Sequence, residues 1–224
     1  MRFISLIFGL IIIFTFSACE NSITNKKANS SYSKIEEKTT NLLSDLSPVD
    51  KEGNINAVIE IPSGTTEKWE LNKSNGKIER DSINGKPRTI HYLGYPGNYG
   101  MIPKTLLSKE KGGDDDPLDI LVIGGPVKKG SILKCKIIGV LFLLDRGEQD
   151  DKLIAVSIDS PLFETNEISE LDSNYNKVSE IIELWFTNYK GPNKMVSKGY
   201  GNKTEALEIL ESAIEEYKAD NSKL

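Results

Sequence analysis

The chain has 224 residues, with 28 Lys and Arg against 33 Asp and Glu, and a formal net charge of −5. This balance argues against a nucleic-acid partner, which requires clustered cations to meet phosphates, while 38% hydrophobic residues suffice for a packed core. Two cysteines, Cys19 and Cys135, are too few for a disulfide-built scaffold.

The chain opens with "MRFISLIFGLIIIFTFSAC": one cation at Arg2, an apolar run from Phe3 to Phe16, then small residues before Cys19. A charged start, a short apolar centre and small residues at the end are the layout of a secretory signal. The run is shorter than the ~20 residues of a usual membrane-spanning helix, although an uncleaved anchor is the alternative. "FSAC" resembles the lipobox of bacterial lipoproteins, with Phe16 where an aliphatic residue is usual. The expectation is therefore a signal peptide over residues 1–18, lipidation at Cys19, and an exported, membrane-anchored protein facing the periplasm. Residues 19–51, rich in Asn, Ser, Lys and Thr, read as a flexible tether in which "TTNLLSDL" is compatible with a short helix.

Residues 52–224 are about the size of one domain. Short extended segments come first: "NAVIEI" (56–61), "KWEL" (68–71) and "GKIER" (76–80), separated by turn formers. "DILVIGG" (119–125), "SILKCKIIGVLFLLD" (131–145) and "KLIAVSI" (152–158) are further strands, and Cys135 is a small side chain within one of them. The final third is helical. Val178, Ile181, Ile182, Trp185, Phe186 and Tyr189 share one helix face, which Gly191 and Pro192 terminate. Leu207, Leu210, Ile214 and Tyr217 repeat the pattern behind a capping box of Asn202 and Glu205. The pattern predicts a β-barrel with C-terminal helices packed on it.

The chemistry concentrates in "GGDDDPLDILVIGG", where four aspartates precede a strand built for burial. Such carboxylates require compensation by cations or by water. Asp114, Asp116 and Asp119 form D-x-D-P-x-D, a pattern that a proline-containing turn can converge on a hard divalent cation. Calcium loops and solvated acidic turns share that spacing. "LLDRGEQDDKLIAV" adds Asp145 and Asp150 between two apolar strands and Lys152 at the start of the second. Carboxylates from two loops would make a multi-metal site able to activate water. Lys68 and Glu70 in "EKWE", Arg88, Tyr95 and Tyr99 in "KPRTIHYLGYPGNYG", and Tyr189 and Lys190 in "FTNYKG" supply cations and hydroxyls suited to phosphate.

"VIEIP", "KWE", "YPGNYG", "DDDPLD", "DRGEQDDK" and "NYKG", in this order and spacing over residues 54–218, resemble the soluble inorganic pyrophosphatases of family I. The resemblance implies a mainly β fold with α, a five-stranded OB-like β-barrel flanked by C-terminal helices. It also implies Mg²⁺-dependent hydrolysis of pyrophosphate to two phosphates, with several ions per site and other divalent ions such as Mn²⁺ as substitutes. By position, Asp114, Asp119 and Asp150 resemble ligands of the tighter metal, and Asp119 a bridge to a second. Asp145 and Asp150 resemble ligands of a third, and Glu70 of a fourth. Asp116 resembles the base that takes the proton of the attacking water. Lys68, Tyr99, Tyr189, Lys190 and an arginine would hold the phosphates, with Glu60, Tyr95 and Lys152 also in the site. A homo-oligomer, a hexamer in bacterial members, is implied as well.

The chain departs from the family in three places. Asp115 stands where Gly is usual, Trp69 replaces a Tyr, and the stretch from Lys68 to Tyr95 is longer. The longer stretch offers Arg80 and Arg88 for the substrate arginine, of which Arg88 lies nearer "YPGNYG"; it also contains His91, the only histidine, read as a strand or loop residue. The competing function is a non-enzymatic lipoprotein that binds Ca²⁺ or phosphorylated ligands through the Asp-rich loop.

Overall fold

The computed structural model describes residues 40–222; the expected signal peptide, Cys19 and most of the tether lie outside the described residues. The strands β1 (Ile55–Ile61), β2 (Trp69–Asn72), β3 (Lys77–Arg80), β4 (Ser82–Ile83), β5 (Lys86–Pro87) and β6 (Asn98–Met101) occupy the first half of the body. β7 (Asp119–Ile123), β8 (Ile132–Asp145), β9 (Glu148–Gln149) and β10 (Lys152–Ser157) follow, and β11 (Met195–Gly201) comes late. The helices are α1 (Ile168–Asn174), α2 (Val178–Asn188) and α3 (Lys203–Asn221).

β1, β6, β7, β10 and β8 pair in that order, and β8 returns to pair with β1, which closes a five-stranded barrel. β8 can close it because it is 14 residues long. Its first part pairs with β1 and its later part with β10 and β11. Closure leaves no exposed edge within the barrel. Its strands bury apolar residues on both faces, in two clusters: Ile59, Ile120 and Ile137 belong to one and Leu121 and Ile154 to the other, all fully or almost fully buried. At β6 the strands approach closely: a Cβ on Gly100 would lie 1.9 Å from the Val58 carbonyl oxygen, so only glycine fits.

The α3 capping box forms as expected: the Asn202 side chain accepts from Glu205 N–H at 3.0 Å, and the Glu205 carboxylate accepts from Asn202 N–H at 2.7 Å. The face of α3 buried most fully is Ala206, Leu210 and Ala213, with Leu207 and Ile214 at its margins; the alanines let the helix approach the barrel. α2 buries Ile182, Trp185 and Phe186 beside the site, but Ile181, expected on that face, is 58% exposed. It lies about 100° around the helix from Ile182, outside the buried stripe.

Two further departures concern boundaries. The body begins before residue 52: Leu42 N–H donates to the Gly76 carbonyl at 3.0 Å, Lys104 N–H donates to the Leu43 carbonyl, and Asp50 pairs with Lys134. Val49 packs on the core, so residues 41–50 are held rather than free. Within "TTNLLSDL" the described residues form a turn over 42–45, with Asp45 N–H donating to the Asn41 carbonyl, and not a helix.

Candidate active site

The strand register gathers the carboxylates at one end of the barrel. β7 and β10 run parallel with Leu153 opposite Ile120, which brings Lys152 beside Asp119. Asp145 ends β8, and the turn through β9 returns Asp150 to the same end. The β2–β3 hairpin supplies Lys68 and Glu70 from above, and the end of α2 supplies Tyr189 and Lys190.

A cavity of about 200 Å³ results. Twelve of the fourteen residues expected at the site line it: Asp114, Asp116, Asp119, Asp145, Asp150, Glu60, Glu70, Lys68, Arg88, Tyr99, Tyr189 and Lys190. The other two, Lys152 and Tyr95, stand one layer behind, 1% and 3% exposed. Arg80 is not a lining residue; it pairs with Glu67 at 3.0 Å and donates to Thr89, whereas Arg88 lines the cavity and pairs with Asp81 at 2.9 Å. His91 is exposed outside the cavity. A larger groove of about 1030 Å³ beside the end of α3 contains none of the expected site residues.

Each lysine of the site engages at least one carboxylate. The buried Lys152 ammonium bonds Asp119 and, at 2.6 Å, Asp150. Lys190 pairs with Asp145 at 2.7 Å and Lys68 with Glu70 at 3.0 Å. Burial opposes the charge on Lys152, but Asp119 and Asp150 outweigh it and raise its pKa. Lys68 behaves likewise: burial is outweighed by Tyr95, Glu70, Glu60 and Asp119. Burial pushes Glu60 up to about 8, with Lys68 holding it lower than burial alone would; one of its oxygens accepts Leu71 N–H at 2.6 Å. Burial also pushes Tyr95 and Tyr189 up to about 12 and holds Tyr99 well above the ordinary tyrosine range, so all three hydroxyls keep their protons as donors. Asp114 is raised by burial and then by the neighbouring Asp116 carboxylate.

The aromatic floor fixes the substrate-facing rings. Trp185 stacks on Tyr189 at 4.5 Å and 12°, lies 4.4 Å from Tyr95, and donates its Nε1–H to the Leu93 carbonyl. A stacked pair of this kind holds a side chain in one orientation.

The donor set fits hard divalent cations. It is all carboxylate oxygen, and Asp145 Oδ1 is buried without a hydrogen-bond partner, the kind of orphan acceptor that a cation satisfies. Among the described residues no three acidic, His or Cys side chains already form a ligand cluster, and the Lys152 ammonium contacts both Asp119 and Asp150.

Sequence reasoning missed Lys73. From the β2–β3 turn its ammonium reaches Asp116 at 2.6 Å and the Asp115 carbonyl at 2.9 Å. It also missed Asp81, which orients Arg88, and Asp151, which is buried and accepts from Leu143 N–H and Gln149. Lys73 sits in "NKSNG", where only turn composition is legible; no local pattern marks it as facing the acidic loop.

Comparison with known proteins places this site in context. The model of the family described as "Inorganic pyrophosphatase" matches residues 57–218. The inorganic pyrophosphatase of Campylobacter jejuni is 36% identical over 178 residues, spanning 73% of this chain and 92% of that protein. Among solved structures, the inorganic pyrophosphatase of Helicobacter pylori is 32% identical with a TM-score of 0.65, covering 77% of this chain and 98% of the other. The type I inorganic pyrophosphatase of Toxoplasma gondii is 26% identical with a TM-score of 0.75, covering 80% and 87%.

Proposed function

Since the chain belongs to the inorganic pyrophosphatase family, we propose that this cleft hydrolyses pyrophosphate to two phosphates with Mg²⁺ as its cofactor. The observation that carries the reading is the single cavity in which five aspartates face Lys68, Arg88 and Lys190. The non-enzymatic binding protein has no support, because the matched relatives are pyrophosphatases along nearly the whole body.

Pyrophosphate carries several negative charges, and attack by a water oxygen meets that charge. Lys68, Arg88 and Lys190, with the hydroxyls of Tyr99 and Tyr189, bind and orient the two phosphates. Asp116 is exposed at the cavity wall, where its carboxylate accepts the proton of the attacking water. The Asp116 backbone N–H donates to Asp114 at 3.1 Å, which ties the base to the acidic turn. Lys152 fixes Asp119 and Asp150, Tyr95 supports Tyr99 from behind at 5.1 Å, and Glu60 braces the hairpin through Leu71. Asp114, Asp119, Asp145, Asp150 and Glu70 are the side chains that would hold the divalent ions. When bound, the ions neutralise the phosphates and make the attacking water more acidic.

Phosphate release from pyrophosphate is the test. Mg²⁺-dependent release abolished by EDTA is expected; a folded chain that releases none in Mg²⁺ or Mn²⁺ overturns the reading.

The lipoprotein-like start supports export, a lipid on Cys19 and a periplasm-facing location. Among the described residues no helix is long and apolar enough to cross a membrane. Cys19→Ser should move the protein from the membrane fraction to the soluble one; if it stays membrane-bound, the lipid is not the anchor. A homo-oligomer, the hexamer that the family resemblance implies, completes the reading, and sedimentation as a monomer would dismiss it.

A further inference from the structure

Beside the main cavity lies a second one, of about 520 Å³. The two share Arg88, Asp145, Tyr189 and Lys190, so one opens onto the other. The second adds His91, Arg146 and Lys194 to its walls, and Asp145 is its only carboxylate. The charge balance therefore changes from one cavity to the next. In the first, the lysines are matched by carboxylates, Lys68 by Glu70 and Lys190 by Asp145. In the second, four cations face one carboxylate, which Lys190 already engages at 2.7 Å.

Arg146 and Lys194 form no ion pair among the described residues. They are nevertheless held as neighbours. Arg146 N–H donates to the Lys194 carbonyl at 3.0 Å, and Met195 pairs with Asp145 in the β8–β11 register. Arg146 occupies the left-handed region with φ 53°, an uncommon conformation for a side chain of its size. An isolated exposed cation is ordinarily just solvated. Two of them on the wall of a concavity that continues into a phosphate site make a graded positive path outward from that site.

We propose that the second cavity is a subsite for the third phosphate of a linear inorganic condensed phosphate, tripolyphosphate being the shortest. This inference rests on the reading of the main cavity as a pyrophosphate site. The two phosphates nearest the aspartates occupy that cavity, and the third extends past Arg88 and Lys190 to Arg146 and Lys194. Pyrophosphate ends before reaching them. The pair therefore discriminates by chain length, and its contribution is confined to the longer anion.

The test is calorimetric titration of the full chain in Mg²⁺, in the Asp116→Asn background so that turnover does not interfere. Tripolyphosphate and pyrophosphate are titrated in turn, with and without Arg146→Ala and Lys194→Ala. Both added substitutions are at exposed positions. The expected result is about tenfold weaker tripolyphosphate binding in the added double variant, with pyrophosphate affinity unchanged within about twofold. Raised salt should narrow the tripolyphosphate difference. Equal tripolyphosphate affinity with and without the two cations, parallel losses for both anions, or no tripolyphosphate binding would each overturn the proposal. The titration measures binding alone, so its outcome is separate from that of the phosphate-release assay, which decides the hydrolase reading.

Discussion

The carboxylate of Asp115 accepts the backbone N–H of Lys109 at 2.9 Å and lies 3.2 Å from the ammonium of the same residue. Asp115 itself sits at φ 65°, in the left-handed region that favours glycine. The extra aspartate is thus accommodated by a turn that its own side chain ties to the start of a short 3-10 helix, Lys109–Lys111. It points away from the catalytic cavity, which it does not line.

Asp115→Gly and Asp115→Ala separate these two contributions. Glycine loses the Lys109 contacts but gains a free left-handed turn, whereas alanine loses the contacts and keeps the unfavourable φ. The urea midpoint should fall clearly further for Ala than for Gly, and phosphate release should stay within about twofold of wild type in both, as expected of surface substitutions. A large activity loss in Asp115→Gly would mean that the aspartate belongs to the chemistry.

Glu60 makes the metal-free protein sensitive to pH. Its carboxyl is protonated in both folded and unfolded chains below about 4.5, its ordinary value, and stays protonated in the folded chain up to about 8. Between those values the folded state binds the extra proton, so stability falls as pH rises through the window and levels off above it. The loss is on the order of 5 kcal/mol. Thermal melts in EDTA across pH 4.5–9 should show the decline, and Glu60→Gln, which keeps an acceptor for Leu71, should flatten it. An unchanged slope in Glu60→Gln would assign the effect elsewhere.

The two arginines of the longer stretch have separate roles. Arg88→Ala removes a cation from the cavity and should raise the KM for pyrophosphate by about 10–100-fold, the usual value of a charged hydrogen bond to an anion. Arg80→Ala breaks the pairing to Glu67 outside the cavity and should change KM by less than about threefold. Steady-state kinetics on both variants decide the assignment; the reverse order would exchange their roles.

The barrel was legible because its strands are long apolar runs, and the acidic loops because D-x-D-P-x-D and the segment after Asp145 keep their spacing. What stayed hidden was whatever depends on a partner. β6 is four residues with Gly100 inside it, and its role comes from β1 lying close enough to exclude a Cβ. β11 contains Gly199 and Gly201 and reads as a loop until the far end of β8 supplies its hydrogen bonds. α1 buries only Leu171, too little for a periodic signal. Residues 41–50 look like tether by composition, yet Leu43 and Val49 find the body. Lys73 shows the same limit at the site: its partner Asp116 is 43 residues away in sequence.

In the proposed mechanism Asp116 takes the proton of the attacking water while its neighbours hold the divalent ions. Phosphate release and Mg²⁺ binding, measured side by side on wild type and Asp116→Asn, separate these two roles. The expected result is kcat reduced about 10²–10⁴-fold, the usual worth of a general base, with Mg²⁺ affinity within about threefold of wild type. Full activity in Asp116→Asn, or lost activity explained wholly by lost Mg²⁺, would refute the assignment of Asp116 as the base.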